Sequence, residues 1–253
     1  MRRSWIICLL VAIAVLGTSA AAAAAEAGGG PDPAISRWPG WPGRASCDGL
    51  PFKTLVAFAR PTDAERERKP SAAALRQVLA EGLYREFGTP KHGWRLLAET
   101  SDYAEFATGR LGRDVQVIPV ERQGHHWTQV GYSSGCVPAV LRKGRPAITW
   151  TLASDQKLRP STRTIEVNLG PGECDSGLPQ AERLEKPSFR EENGALLMAL
   201  WLRPYRHAAT CQGTFEPPVK IRLPHGLGHR ELLDGGVFPP VSSAEEMRRE
   251  ERF

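Results

Sequence analysis

Proline and glycine recur along the whole chain and set the strongest limit on its fold. The 253 residues include 21 Pro and 25 Gly. A proline inside a helix removes a backbone hydrogen-bond donor, and an interior glycine weakens a helix. Long uninterrupted helices are therefore excluded, and we expect an α+β or β-rich fold rather than a helical bundle.

One segment has the pattern of an amphipathic helix. Over 71–87 apolar residues fall three or four positions apart, with Ser71 as a candidate N-terminal cap and Gly88 and Pro90 after the last of them. Short β-prone segments with turn-like connections follow at 94–99, 103–108, 115–121 and 127–132. We therefore predict one amphipathic helix on an antiparallel sheet. Before the helix, we predict a strand at 52–59 and a solvated turn or exposed helical segment at 63–69.

After residue 139 the pattern consists of strands and loops. Candidate strands lie at 147–152, 164–169, 195–202 and 219–223, and two of them alternate apolar and polar residues. We predict an α+β domain over 47–138 and a β-rich, sandwich-like or barrel-like domain over 139–240.

The first 25 residues are typical of a secretory signal peptide. Arg2 and Arg3 precede twelve apolar residues, and six consecutive alanines follow at 20–25. Twelve residues span only about 18 Å as a helix, less than the roughly 30 Å of a bilayer core. We expect cleavage, no integral membrane span afterwards, and a secreted or extracytoplasmic protein. A Gly/Pro-rich linker at 26–46 and a charged tail at 241–253 complete the predicted organisation.

The basic charge is modest and dispersed. The net charge of +5 falls to +3 when Arg2 and Arg3 are removed, and acidic residues lie between many of the arginines. Nucleic-acid binding requires a clustered basic stripe with interleaved aromatic residues. We therefore expect no nucleic-acid partner, and only a weak attraction to an anionic cell envelope.

Four cysteines remain after cleavage: Cys47, Cys136, Cys174 and Cys211. An even number in an exported chain indicates two disulfides, and four cysteines allow three connectivities. We predict the pairs Cys47–Cys136 and Cys174–Cys211. The wide spacing does not fit a zinc ribbon or a redox motif.

The C-terminal part resembles a known pattern. It contains the turn Glu173-Cys174-Asp175-Ser176-Gly177, the turn Cys211-Gln212-Gly213, a segment running from Leu227 to Gly235 and Pro239-Pro240. These residues resemble uncharacterised exported bacterial proteins that have a cysteine-containing, β-rich C-terminal module. The resemblance implies a disulfide-bearing envelope module and no particular activity.

One short motif raises the possibility of an enzyme. Residues 131–135 match Gly-x-Ser-x-Gly, with Ser133 as the candidate nucleophile. A nucleophile elbow requires a helix directly after the serine, but Pro138, Gly144 and Pro146 follow instead. A sharp turn into the disulfide at Cys136 is the alternative interpretation.

We predict neither a metal site nor a cofactor. His125 and His126 are adjacent, so on one strand they would face opposite sides. His225 and His229 lie around two glycines, where their spacing does not define a helical metal pair. Three acids around a predicted hairpin, Glu99, Asp102 and Glu105, are expected to be solvated rather than catalytic.

Together these features favour a non-catalytic, exported module with a binding or structural role. Two alternatives are a secreted serine hydrolase that uses Ser133 and a ligand-binding domain with a pocket between helix and sheet. Trp94, Trp127 and Tyr132 are the candidate pocket residues.

Overall fold

The computed structural model describes residues 37–38, 43–47, 49–60, 62–153, 156–170, 179–204 and 217–242. The predicted signal peptide, Cys174, Cys211 and nearly all of the charged tail lie outside these ranges. Within them, three α-helices are α1 (Thr54–Ala59), α2 (Pro70–Glu81) and α3 (Gln180–Arg183), and two 3₁₀ turns lie at Ala64–Arg66 and Arg85–Phe87. The strands are β1 (Ala45–Ser46), β2 (Arg95–Glu99), β3 (Tyr103–Thr108), β4 (Gln116–Gln123), β5 (His126–Gln129), β6 (Ser133–Ser134), β7 (Ala139–Arg142), β8 (Arg145–Pro146), β9 (Trp150–Leu152), β10 (Thr164–Leu169), β11 (Ser188–Glu192), β12 (Ala195–Ala199), β13 (Val219–Arg222), β14 (Glu231–Asp234) and β15 (Val241–Ser242).

The β-rich character predicted from the sequence is confirmed. An antiparallel meander has the order β2-β3-β4-β5, and β6 pairs with β4. Two three-stranded sheets have the orders β1-β7-β8 and β13-β10-β9. The remaining sheet, β11-β12-β14-β15, contains a parallel pair between β12 and β14 that the sequence did not indicate.

Helix α2 begins and ends earlier than the apolar pattern predicted. Pro70 is its first residue, where the missing proline N–H costs nothing, and Ser71 lies inside the helix rather than capping it. Gly82 adopts a left-handed conformation with φ 70° and ends the helix. Because the chain leaves the helix there, Leu83 and Phe87 are each 53% exposed instead of extending its buried face.

The prediction of a strand at 52–59 was wrong. Helix α1 occupies Thr54–Ala59, and it places Ala57 and Phe58 in the core with almost no exposed surface. The Arg95 side chain on β2 holds this short helix, because its guanidinium stacks 4.8 Å from the Phe58 ring centroid and donates to the Phe58 carbonyl. Tertiary packing here overrides a local β preference.

The main apolar clusters lie on both sides of the predicted domain boundary at residue 138. Beneath α2, Leu75, Trp94 and Ile118 belong to a cluster that fills the space between helix and meander. A second cluster lies between the β9–β10–β13 sheet and β12. A third combines residues from both predicted domains, including Phe58, Val117, Leu197 and Phe238.

Part of the segment predicted as a linker belongs to the folded structure. Trp38 is 3% exposed and packs in the third cluster. Ala45–Ser46 forms β1, which pairs with β7. The predicted Cys47–Cys136 disulfide is present directly after this strand, with a Cα–Cα distance of 5.7 Å.

Candidate functional site

A groove lies beside helix α2 in the described part of the chain. It has a volume of about 630 Å³ and lies between the 3₁₀ turn Ala64–Arg66, α2 and the segment before β2. This volume is within the range of small-molecule sites. Its lining residues are Glu65, Arg66, Glu67, Arg68, Arg76, Leu79, Ala80, Lys91 and His92.

Hydrogen bonds fix the backbone of the turn that forms one wall. Arg76 on α2 uses one guanidinium nitrogen, Nη1, to donate to two carbonyl oxygens, that of Glu65 at 2.9 Å and that of Glu67 at 2.7 Å. The Ala64 N–H donates to the Trp94 carbonyl at 2.8 Å. The groove is therefore supported by both the helix and the sheet rather than by a free loop.

Glu65 is the buried acid of this wall. Although it is charged, it is only 4% exposed. Its carboxylate accepts the Trp94 N–H at 3.1 Å and the Gly93 N–H at 3.3 Å. His92 Nδ1 lies 3.7 Å from the same carboxylate, and the imidazole itself is 75% exposed at the rim. The two backbone N–H groups replace water as hydrogen-bond donors to the Glu65 carboxylate, so its oxygens need no hydrogen bond from the groove's cations.

Three cationic side chains of the groove have no partner within the described ranges. Arg66, Arg68 and Lys91 are exposed, and none of them forms a side-chain hydrogen bond or an ion pair there. The other acid, Glu67, contacts Lys69 at 3.3 Å. The groove therefore has an excess of positive charge that an anionic ligand would complement.

A smaller neighbouring cavity shows the contrasting arrangement. Its volume is about 450 Å³, its lining is mostly polar, and it shares Glu67 with the groove. Lys69 and Ser71 donate to opposite oxygens of Glu99, at 2.9 Å and 2.6 Å. Burial of Glu99 opposes its ionisation, but the hydrogen bonds from Ser71 and Lys69 outweigh that effect and hold the pKa of Glu99 below its usual value. Lys69 and Glu99, which both line this cavity, are therefore paired with each other.

The structure does not bring the candidate pocket residues predicted from the sequence, Trp94, Trp127 and Tyr132, into the groove. Trp94 is fully buried, and its indole donates to the Pro90 carbonyl at 2.9 Å. Trp127 is half-buried against the cluster beneath α2. The Tyr132 ring stacks on Tyr84, with centroids 4.2 Å apart, and also lies against Phe87. None of the three lines the groove.

Ser133 lies on a strand that leads into a disulfide. It pairs with Val117 in the two-residue strand β6, and Gly135 then turns with φ 74° into Cys136. Residues 136–146 contain β7 and β8 and no helix. The strand–turn–helix arrangement that defines a nucleophile elbow is therefore not formed around Ser133.

The histidines and the hairpin acids have separate environments. His225 and Arg230 both contact Glu191, at 2.7 Å and 2.5 Å, on an exposed surface. In the described ranges no three His, Cys, Asp or Glu side chains are grouped as metal ligands. The expectation that Glu105 is solvated was wrong, because it is 2% exposed on β3. Tyr103 donates to it at 3.2 Å.

Sequence reasoning missed the groove because its residues appear as an ordinary charged run. The segment 63–69 was expected to be solvated, yet Ala64 and Glu65 are buried. The dense charge just before Pro70 was the only signal available. Neither a family model, nor a curated protein, nor a solved structure matches this chain. No described helix is both long and apolar enough to cross a membrane.

Proposed function

We propose that this protein is an exported, non-catalytic binding module and that the groove beside α2 binds a small anionic ligand. The single observation that carries the proposal is a set of three cations, Arg66, Arg68 and Lys91, that have no partner among the described residues. They line a groove whose buried acid accepts two backbone N–H groups. Arg76 holds the backbone on both sides of Arg66, so binding an anion has to order the cationic side chains but not the turn that carries them.

Two features of the chain support the proposal that the protein is exported. The Cys47–Cys136 disulfide is compatible with an oxidising environment, and the first 25 residues have the pattern of a signal peptide. We further propose that the chain belongs with the uncharacterised exported bacterial proteins that its C-terminal part resembles. We place the module at the cell envelope or outside it, built as a helix on an antiparallel sheet followed by a β-rich part.

Inorganic phosphate is the simplest probe of the groove. We expect amide chemical shifts of residues 65–68 and 91–93 to change on titration, with a Kd on the order of 1 mM, because exposed charge pairs are individually weak. Arg66→Gln/Lys91→Gln should raise the Kd about fivefold or more. Raising the ionic strength from about 0.02 M to about 0.5 M should weaken binding in the wild type, since salt screens exposed charges.

A matched control separates the groove from overall charge. Arg113→Gln/Arg222→Gln removes the same two charges from exposed positions outside the groove and should leave the Kd unchanged. Equal weakening in both double variants would mean that only net charge attracts phosphate. No change in any groove amide would remove the proposed site.

The non-catalytic part has its own test. A fluorophosphonate probe should give no adduct, because Ser133 is not on a nucleophile elbow. A single adduct that disappears in Ser133→Ala would overturn this part and make the serine hydrolase the leading interpretation.

A further inference from the structure

The walls of the groove differ chemically from a simple anion site. Most of its lining surface is carbon, whereas the neighbouring cavity is lined mostly by polar atoms. Two residues of α2 also line it: Ala80, which is exposed, and Leu79, which is 8% exposed. The long stems of arginine and lysine add further apolar surface while their charged ends stay in water.

The size of the groove also indicates a ligand larger than a simple anion. A volume of about 630 Å³ is suited to a drug-sized molecule, far larger than a phosphate or a carboxylate group alone. The cationic ends of Arg66, Arg68 and Lys91 can hold an anionic group, but they leave the carbon surface next to Leu79 and Ala80 without a partner. A ligand that fills the site must therefore combine negative charge with an apolar part.

We infer that the groove binds an anionic amphiphile: a phosphate monoester or a carboxylate joined to an alkyl chain. The headgroup lies among the cations, and the chain lies along the surface of α2. This inference rests on the proposed function, because it assigns the chemical class of the ligand of the same groove. A soluble alkyl phosphate and the headgroup of an acidic lipid share this chemistry.

A chain-length series tests the inference directly. Inorganic phosphate, ethyl phosphate, butyl phosphate and octyl phosphate are titrated by calorimetry below the concentration at which octyl phosphate forms micelles. We expect the Kd to fall with chain length, and octyl phosphate to bind at least about tenfold more tightly than inorganic phosphate, because each buried methylene adds apolar contact. Octyl glucoside, which has the same chain without the charge, should bind at least about tenfold more weakly than octyl phosphate.

A pair of variants on one helix locates the chain. Ala80→Glu places a carboxylate on the carbon surface and should abolish the gain from the octyl chain. Ala73→Glu makes the same substitution at another exposed position of α2 that does not line the groove, and it should retain the gain. Circular dichroism on both variants shows whether α2 is intact.

The outcomes distinguish the inference from the proposed function. If phosphate binds but chain length has no effect, the anion site stands and the amphiphile inference fails. If neither phosphate nor octyl phosphate binds, both fail. If both bind, flotation with phosphatidic acid vesicles tells the sources apart: recovery with the vesicles assigns a membrane lipid, and no recovery assigns a soluble amphiphile.

Discussion

Glu65 shows how a single buried charge can organise a wall of the groove. Its carboxylate accepts hydrogen bonds from two backbone N–H groups just before β2. Arg76 donates to the Glu65 carbonyl and thereby fixes the 3₁₀ turn that carries this acid. Burying an acid is unfavourable unless hydrogen bonds compensate for the lost water. The neighbouring Glu67 faces solvent, with a side chain that is 45% exposed.

This contrast predicts different costs for two identical substitutions. Glu65→Gln replaces one acceptor oxygen by an amide donor that faces backbone N–H groups, so the free energy of unfolding should fall by about 1–3 kcal/mol. Glu67→Gln should change it by less than about 0.5 kcal/mol, because exposed ion pairs contribute little. Urea unfolding of both variants measures the difference. Equal effects would mean that the buried hydrogen bonds of Glu65 do not stabilise the turn.

The ionisation of Tyr103, on strand β3, makes the stability of the fold depend on pH in the alkaline range. Burial of the phenol, together with the nearby negative charge of Glu105, raises the pKa of Tyr103 to about 12. Since the folded-state pKa lies above the unfolded value of about 10, Tyr103 contributes its full stability below about pH 10. That contribution is lost as the pH rises from about 10 through about 12.

Tyr103→Phe should therefore flatten the alkaline loss of stability. Between about pH 9 and pH 11.5 the free energy of unfolding should fall less in this variant than in the wild type, because it has no phenol to ionise on unfolding. Urea unfolding at several pH values gives the two slopes, and the titration of lysines cancels in the comparison. Identical slopes would show that Tyr103 ionises equally in the folded and unfolded states.

At the scale of elements, two turns of the meander differ in how much space surrounds their glycine. Gly109, after β3, has φ 89°, and a Cβ added there would lie far inside contact distance of the Asp114 carbonyl oxygen. Gly124, between β4 and β5, has φ 63°, and a Cβ added there would meet nothing within 4 Å. Both positions favour glycine, but only the first is also blocked by backbone.

Substituting the two glycines separates two free-energy costs, that of a left-handed backbone conformation and that of a steric clash with neighbouring backbone. Gly124→Ala should cost about 1 kcal/mol, the penalty of a left-handed residue. Gly109→Ala should cost more by about 2 kcal/mol, because the backbone of the β3–β4 connection must shift. Thermal and urea unfolding of the two variants test this order. A reversed order would mean that the β3–β4 connection readily relaxes.

At the scale of the whole molecule, one disulfide and one apolar cluster connect distant parts of the chain. Cys47 and Cys136 are 89 residues apart, and β1, directly before Cys47, pairs with β7. The cluster that includes Phe58, Val117, Leu197 and Phe238 joins the two halves predicted from the sequence. The N-terminal and C-terminal parts consequently support each other.

Removing this disulfide should lower stability substantially. Closing a loop of this length lowers the conformational entropy of the unfolded chain. In the chain-entropy model this raises the free energy of the unfolded state by about 4–5 kcal/mol. Cys47→Ser/Cys136→Ser should therefore lower the free energy of unfolding by up to that amount. Urea unfolding against the oxidised wild type measures it, and a loss below about 1 kcal/mol would contradict the expectation.

The second predicted disulfide, Cys174–Cys211, lies outside the described residues. The described segments next to the two cysteines are in contact, because the Arg203 N–H donates to the Arg183 carbonyl at 2.8 Å. Arg183 follows Cys174, and Arg203 precedes Cys211, by fewer than ten residues each. We expect the non-reduced, exported protein to lack its first 25 to 27 residues and to be lighter by about four hydrogens, two for each disulfide. An intact mass with two free thiols would remove the second pair.

Elements with a strong local signal could be predicted from the sequence. The strands Tyr103–Thr108 and Thr164–Leu169 have the predicted bounds, because alternation and turn residues are local properties. Helix α2 was also predicted, although it ends at Glu81, six residues before Phe87, the last apolar position of the pattern. Helix α1 was missed, because its short β-prone sequence becomes helical through the packing of Phe58 and its contact with Arg95.

Local patterns in the sequence were enough to predict the β-rich character and the helix at Pro70–Glu81, because periodicity and turn residues are written along the chain. Four cysteines allow three connectivities, and the pairing of Cys47 with Cys136 was established by the fold, which brings β1 beside β7. Which charges are buried and which are exposed depends instead on the packing of the folded chain. Glu65 and Arg66 are neighbours in the sequence, yet the fold satisfies one with backbone hydrogen bonds and leaves the other facing the groove. That difference arises because burial and hydrogen-bond partners depend on contacts between residues that are distant in the chain.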